Sequence, residues 1–369
     1  MGLYVGLMSG TSLDGVDGVL AEMDAPMRLL SHVYRPFPDA LKSELLALNR
    51  AGGTDELHRA ALAANAVALA YAGVVSAVLA DARRVAGDVR AIGAHGQTVR
   101  HRPSSLGDGL GYTVQLLNGS LLAERSGIDV VCDFRSRDVA AGGQGAPLVP
   151  AFHAARFARP GADVAVLNVG GIANLTLLGA DGRVRGFDCG PGNALMDLWT
   201  QRHRGLPFDD RGTWAASASP DPALLTAWLA DPYFAMAPPK STGRELFSAD
   251  WLDASLGRAA RLPPAVVQAT LLALTARSAA DALKRHAPHT TALRVCGGGA
   301  RNQELMRALA DCLPGIDVQD TSVEGVAPEH VEAQAFAWLA AAYMSGTPGN
   351  IPAVTGAAGL RPLGALYRA

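Results

Sequence analysis

The chain has 369 residues, 49% hydrophobic and 18% charged, with 32 Lys plus Arg against 34 Asp plus Glu. That length suggests two domains or one large α/β unit. The near-neutral charge excludes the electrostatic footprint of a nucleic-acid or anionic-membrane binder and leaves a small molecule as the expected partner.

Short β-rich runs alternate with longer Ala/Leu-rich helical patterns. Strands are expected over 3–8 and 15–22, then helices over 41–50 and 56–84. Residues 60–80 carry no charge, about the length of a membrane span, but alanine dominates and Asn65, Tyr71, Gly73 and Ser76 interrupt, so a buried core helix is expected. A strand over 89–94 and a helix over 120–126 follow, then strands over 129–133, 164–168, 175–178 and 184–187. Helices are expected over 194–204, 222–230 and 264–285, a strand over 293–296, and helices over 303–312 and 328–344. Pro264 opens a helix with Val267, Leu271 and Leu274 at i, i+4, i+7. The alternation means α/β, with helices covering a sheet. "YVGLMSGTSLDGVDGVL" and "VLNVGGIANLTLL" each run strand, glycine turn, strand, and "AIGAHGQT" and "RVCGGGARN" each end a strand in a glycine turn. Two related halves explain this echo, as does the habit of α/β chains of placing glycines after strands. The Pro/Gly-rich tail reads as a packed terminal loop region. Four spaced cysteines, Cys132, Cys189, Cys296 and Cys312, read as buried thiols of a reducing compartment, and the missing secretion signal points to the cytoplasm.

Several turns could carry chemistry. In "SGTSLDG", Gly10 allows φ > 0 and close backbone approach, while Thr11 and Ser12 offer hydroxyls and successive N–H groups for an anion nest; a hairpin with Asp-Gly turns reads equally well. Neither GxxxxGK[ST] nor a GxGxxG opening a βαβ unit is present. Gly170 and Gly171 follow a buried strand in "NVGGIANLT", with Asn174 and Thr176 nearby, and Gly297, Gly298 and Gly299 lead into a helix, where backbone could pass under a flat adenine or ribose. In "GFDCGPGN", Asp188 ends a strand before a Gly-Pro-Gly turn and suits either a catalytic base, a Mg²⁺ orienter or a turn cap. Arg135 and Arg137 in "FRSRD", two apart, share one face if the segment is a strand, and could hold a carboxylate or phosphate or simply pair with Asp133 and Asp138. His95, Gln97 and Thr98 suit sugar hydroxyls, although a histidine there is often structural. Glu332, in a helix's first turn, complements the dipole or contacts substrate.

Together these motifs, with "ERSGIDVVCDFRSRDVAAGGQGAPLVPAFH", "KSTGRELF" and "EAQAFAWLA", resemble in order the 1,6-anhydro-N-acetylmuramic acid kinases of the actin/hexokinase/Hsp70-like ATPase superfamily. The resemblance implies an α/β, two-lobed, ribonuclease H-like duplicated fold with ATP in an interdomain cleft, the lobes falling at 1–125 plus 335–369 and 126–334. It implies conversion of 1,6-anhydro-N-acetylmuramic acid, ATP and water to N-acetylmuramic acid 6-phosphate and ADP in peptidoglycan recycling. Mg²⁺ with unknown ligands is expected, as is a homodimer without nucleic-acid or membrane partners. By the same resemblance Asp188 is the catalytic base; Gly10, Thr11, Ser12, Leu13, Asp14, Gly15, Val16 and Asp17 hold phosphate with Gly170, Gly171, Asn174, Gly297, Gly298 and Gly299; and His95, Gln97, Thr98, Arg137 and Glu332 contact the sugar. Cys189 departs from the family pattern, where Thr is expected, which puts a hydroxyl contact in doubt.

Overall fold

A computed structural model describes residues 2–10, 12–24, 27–103, 111–238, 240–242, 246–257 and 261–369. They form two compact units, Met1–Phe152 with His330–Ala369, and His153–Glu329.

The first unit opens with β1 (Leu3–Met8), β2 (Gly15–Glu22), β3 (Arg28–Pro36), α1 (Asp39–Leu48) and α2 (Glu56–Asp81). It continues with β4 (Val89–Ala94), β5 (Gln97–Arg102), β6 (Tyr112–Leu116), α3 (Gly119–Ser126), β7 (Val130–Cys132), α4 (Ser136–Ala140) and α5 (Val149–Phe157), which runs across the boundary. The second unit holds β8 (Val164–Val169), β9 (Ile172–Leu178), β10 (Val184–Pro191), α6 (Ala194–Arg204), α7 (Pro222–Leu229), α8 (Pro232–Ala235), α9 (Ala249–Leu256), α10 (Pro264–His286), β11 (Ala292–Cys296), α11 (Gln303–Cys312) and β12 (Asp317–Asp320). The chain then returns with α12 (Val331–Met344), α13 (Pro352–Thr355) and β13 (Ala365–Tyr367).

The two main sheets share one topology. The first runs β3-β2-β1-β4-β7, with β13 added at the edge, and the second runs β10-β9-β8-β11-β12. In each, the first three strands in sequence are antiparallel neighbours and the next two join in parallel. This repeated order decides the internal echo in favour of two related halves: β1–turn–β2 corresponds to β8–turn–β9, and β4 to β11. Two such ribonuclease H-like sheets in one chain are the actin/hexokinase-like arrangement. The units divide at 152/153 and 329/330 rather than at 125/126 and 334/335, because β7 pairs with β4 (Ile92↔Val130) and with β13 (Cys132↔Ala365), which ties the residues after 125 to the first sheet.

Each unit has its own core. α2, long and apolar enough by composition to cross a membrane, buries Val67, Tyr71, Val74 and Val78 against one face of the first sheet, with α1 and α3 beside it. α12 covers the other face through Ala333, Phe336, Ala337 and Ala340. In the second unit α10 runs through the core with Leu271, Leu274 and Leu283 fully buried. Asn118, Asp221, Ser248 and Asn302 cap α3, α7, α9 and α11 by accepting from a backbone N–H one turn on. Of the cysteines, Cys132, Cys189 and Cys296 are buried free thiols, whereas Cys312 is half-exposed.

α12 lies directly on β1 and β4, where Gly6 and Gly93 are register partners: a Cβ on Gly6 would overlap the Ala333 carbonyl, and one on Gly93 the Phe336 carbonyl. Overpacking of this kind costs about 3 kcal/mol when backbone blocks relief. Gly93→Ala is therefore expected to lower the urea midpoint of unfolding by an amount corresponding to about 3 kcal/mol; an unchanged midpoint contradicts this packing.

Candidate active site

In the first unit the turns after β1, β4 and β7 lie at the carboxyl ends of parallel neighbours, where α/β sheets bind ligands. The turn after β1 is held by side chains rather than by its own glycine. Gln97 Nε2 donates to Gly10 O (3.1 Å), His95 Nδ1 bonds Ser9 O (3.1 Å), and Ser9 Oγ bonds Gly96 O (3.2 Å) and the Tyr71 hydroxyl (2.8 Å). Leu13 N closes the turn on Gly10 O (3.2 Å). The left-handed residue is Leu13, at φ 59°, and Gly10 is absent from the positive-φ positions. Leu13 and Val16 bury their side chains in the core, so only their backbone could meet a phosphate. Ser12 and Asp14 are exposed, Asp14 within 3.4 Å of Lys42 Nζ. Gly15, Val16 and Asp17 begin β2, with Asp17 Oδ1 3.1 Å from His32 Nε2. Thr11 lies outside the described residues.

The arginine pair departs from the expected strand. Arg135 precedes α4 with helical φ/ψ and Arg137 lies within it, so two residues apart means opposite sides, not one face. Arg137 is exposed, whereas Arg135 turns inward: Nε and Nη2 donate to His95 Nε2 (3.1 and 2.9 Å) and Nη1 to Gly145 O (2.8 Å). Burial lowers the guanidinium to about 10, opposed by the nearby Glu332 and Asp138 carboxylates. Burial and Arg135 push His95 down to about 3, so the ring is neutral; with Nε2 accepting, Nδ1–H donates to Ser9 O. Both His95 nitrogens are thus occupied, which removes it as a direct sugar ligand. Thr98 Oγ1 accepts from Gln115 (3.2 Å). Burial raises Glu332, at the start of α12, with Arg135 opposing and Asp17 adding to the rise.

In the second unit Asn168, Asn174 and Asp188 are successive register partners across β8, β9 and β10 and so line one face. The opposite face carries Val169, Ala173 and Cys189 into the core. Asp188 lies within β10, not at its end, and the register shifts between Asp188 and Gly190, a bulge of the kind that re-aims side chains. Its backbone is gripped from both sides: Asp188 N donates to Lys240 O (3.1 Å) and the Tyr233 hydroxyl donates to Asp188 O (2.7 Å). Thr242 N donates to Asp188 Oδ2 (2.9 Å). Lys240 Nζ bonds Tyr233 O (3.0 Å) over the Tyr233 ring, and burial lowers its amine. Cys189 Sγ donates to Ala173 O (3.2 Å), so the thiol keeps a polar contact where a hydroxyl was expected.

The glycine turns of this unit converge. Asn193 N donates to Gly170 O (2.8 Å), and Gly192 N to Gly171 O (2.9 Å), joining the turns after β8 and β10. Gly297, at φ 77°, follows β11 so closely that a Cβ would overlap Asn168 Oδ1. A Cβ on Gly298 would make an ordinary contact, 3.7 Å from Asn193 Nδ2. In the same unit a cavity of about 750 Å³ is bounded by Arg211, Arg301, Met306, Asp210, Asp320 and Glu329. Lys240, Tyr233, Thr242 and Asn168 escaped the residue-by-residue reading; only "KSTGRELF" hinted at the segment that meets Asp188.

Paired ribonuclease H-like sheets with glycine turns at their strand ends and a held carboxylate define an ATPase-like phosphotransferase. A sequence profile of the anhydro-N-acetylmuramic acid kinases matches residues 2–369. Relatives of that name from Variovorax paradoxus and Bordetella petrii are 57% and 59% identical, covering 100% of this chain and 99% and 96% of their own. Among solved structures, the activator of the 2-hydroxyisocaproyl-CoA dehydratase from Clostridium difficile with bound ADPNP is 12% identical, with a TM-score of 0.47 over 91% of this chain and 93% of that one. The chain belongs to the anhydro-N-acetylmuramic acid kinase family.

Each unit also buries one neutral histidine: His153, whose Nδ1 lies 2.9 Å from Thr176 Oγ1, is likewise pushed down by burial to about 3. The unfolded chain protonates these rings near 6.5, so it binds more protons than the folded one below that pH. Stability is therefore complete above pH 6.5 and falls towards pH 3, by about 1.4 kcal/mol per pH unit for each ring. Urea midpoints should drop between pH 7 and pH 5, with a shallower drop in His153→Asn; equal midpoints would refute the assignment.

Proposed function

We propose that Asp188 is the general base of an ATP-dependent kinase that opens 1,6-anhydro-N-acetylmuramic acid with water and phosphorylates O6. As a family member the protein is a kinase of cell-wall sugar recycling, giving N-acetylmuramic acid 6-phosphate and ADP. The observation that carries the base is the Asp188 carboxylate, held by Thr242 N and by the gripped backbone of a bulged strand beside the glycine turns. Asp188 takes the proton of a water whose oxygen bonds C1 while the C1–O6 bond breaks. O6 attacks the γ-phosphorus in line as the bond to the β-phosphate oxygen breaks, releasing ADP. Gly170, Gly171 and Gly297 to Gly299 support phosphate and nucleoside contacts. On the sugar side Arg135, the inward-facing one of the two arginines expected to suit the lactyl carboxylate, has Glu332 near it.

Among the described residues no group of three or more His, Cys, Asp or Glu could hold a metal. Mg²⁺, when bound with the nucleotide phosphates, would supply charge neutralisation at the transferring group. The reading extends to a cytoplasmic homodimer; the free thiols support the compartment, and sedimentation tests the dimer.

Asp188→Asn should bind nucleotide and sugar with calorimetric affinities near wild type while turnover falls about 10²- to 10⁴-fold. With ¹⁸O-water the label should appear at C1 of the product. Retained activity in the variant, or an unlabelled phosphorylated sugar, overturns the assignment.

A further inference from the structure

Arg135 is held in a way unusual for an inward-facing guanidinium. Among the described residues its hydrogen bonds run only to neutral acceptors, His95 Nε2 and Gly145 O. Neither of the two carboxylates that influence it is among those hydrogen-bond partners. Asp138 Oδ1 accepts from Asn350 (2.7 Å) and Thr355 (2.8 Å), and Oδ2 from Gly145 N (2.8 Å). Glu332 acts on it only through space. An arginine paired to a carboxylate is oriented and neutralised together; one paired to an imidazole is oriented and keeps its charge.

His95 can serve as that acceptor because the rest of the unit dictates its tautomer. Ser9 O takes the Nδ1 proton, and Ser9 is itself fixed by Gly96 O and the Tyr71 hydroxyl of α2. Phe336 of α12 packs on the ring, centroids 4.8 Å apart. On the far side, Gly145 is anchored through Asp138 to Asn350 and Thr355 of the C-terminal segment.

We propose that His95 is a positioning residue that aims Arg135 at the carboxylate of an acidic sugar, and that this pair sets the preference for the acid over its neutral counterpart. The inference rests on the proposed kinase reading and deepens its substrate side. His95 touches no substrate. It acts through Arg135, and its loss therefore weakens binding of the acid specifically.

The test compares 1,6-anhydro-N-acetylmuramic acid with 1,6-anhydro-N-acetylglucosamine, the same ring without the lactyl acid, in wild type, His95→Ala, His95→Gln, Arg135→Ala and the double alanine variant. The wild type should favour the acid in kcat/KM. That ratio should fall about 10- to 100-fold in Arg135→Ala and in His95→Ala, the range for one charge-assisted hydrogen bond, and mainly through KM. His95→Gln, which restores an acceptor, should recover much of the ratio, and the double variant should lose no more than either single one. Equal losses for both sugars in His95→Ala, or a wild-type ratio near one, overturn the proposal. If His95→Ala does not fold, an Arg135→Ala ratio equal to wild type overturns it, and a collapsed ratio partly shared by His95→Gln upholds it. A wild type inactive on both sugars strikes the kinase reading instead; calorimetric Kd values for the two sugars then decide the His95–Arg135 question.

Discussion

The first unit depends on how closely α12 can approach its sheet. Side chains at Gly6 and Gly93 would meet helix backbone, so only glycine at both register partners lets α12 sit on β1 and β4. That seat fixes the N-terminal end of α12, and with it Glu332, beside the turns that follow the same two strands. It also brings Phe336 against both His95 and Phe134, centroids 4.8 and 5.6 Å apart. Packing density thus becomes site geometry: because the interior is close-packed, a shift of the helix would be passed to the imidazole and on to Arg135.

The two units share a topology and differ in what each places at its strand ends. At the same strand ends where the first unit gathers an imidazole, a guanidinium and a carboxyl, the second offers bare backbone and one held carboxylate. Phosphates suit the latter, since glycine turns allow N–H groups to approach without side chains in the way. A sugar acid suits the former, where recognition needs directional donors and a charge. A duplicated sheet can serve both needs because strand ends tolerate different loops on one scaffold.

Buried charge is used structurally in both units, and its partners separate it from the site. Arg294 of β11 bonds Glu324 (3.0 Å) and Asp317 (2.9 Å), Glu324 also takes Arg159, and these bonds pull that carboxyl down despite burial. Asp138 gathers three donors, Gly145 N from the loop that follows and Asn350 and Thr355 from the C-terminal segment. Such groups are satisfied within the protein, as buried ions must be. Arg135 is bonded to His95 and Gly145 O in the same way, and burial disfavours the charged form of both Arg135 and Glu332.

Periodicity and turn chemistry in the sequence determined the element types: α6 and α11 match their expected limits, β1, β2 and β4 do as well, and α2 is the core helix its interruptions indicated. The glycine turns and Asp188 stand out in the sequence at the ends of apolar runs, where a hairpin turn or a turn cap explains them equally well. Strands β3, β5, β6, β12 and β13 went unread, since polar segments such as Asp317–Asp320 become strands only when a neighbour such as β11 supplies the ladder. Short α4 was decided the same way, and it sets Arg135 and Arg137 on opposite sides. Which histidine nitrogen bears a proton, which arginine keeps its charge, and which unit owns residues 126–152 all depend on partners far away in the chain. A local pattern carries the backbone's preference, whereas hydrogen-bond partners and burial exist only once the fold has brought distant segments together.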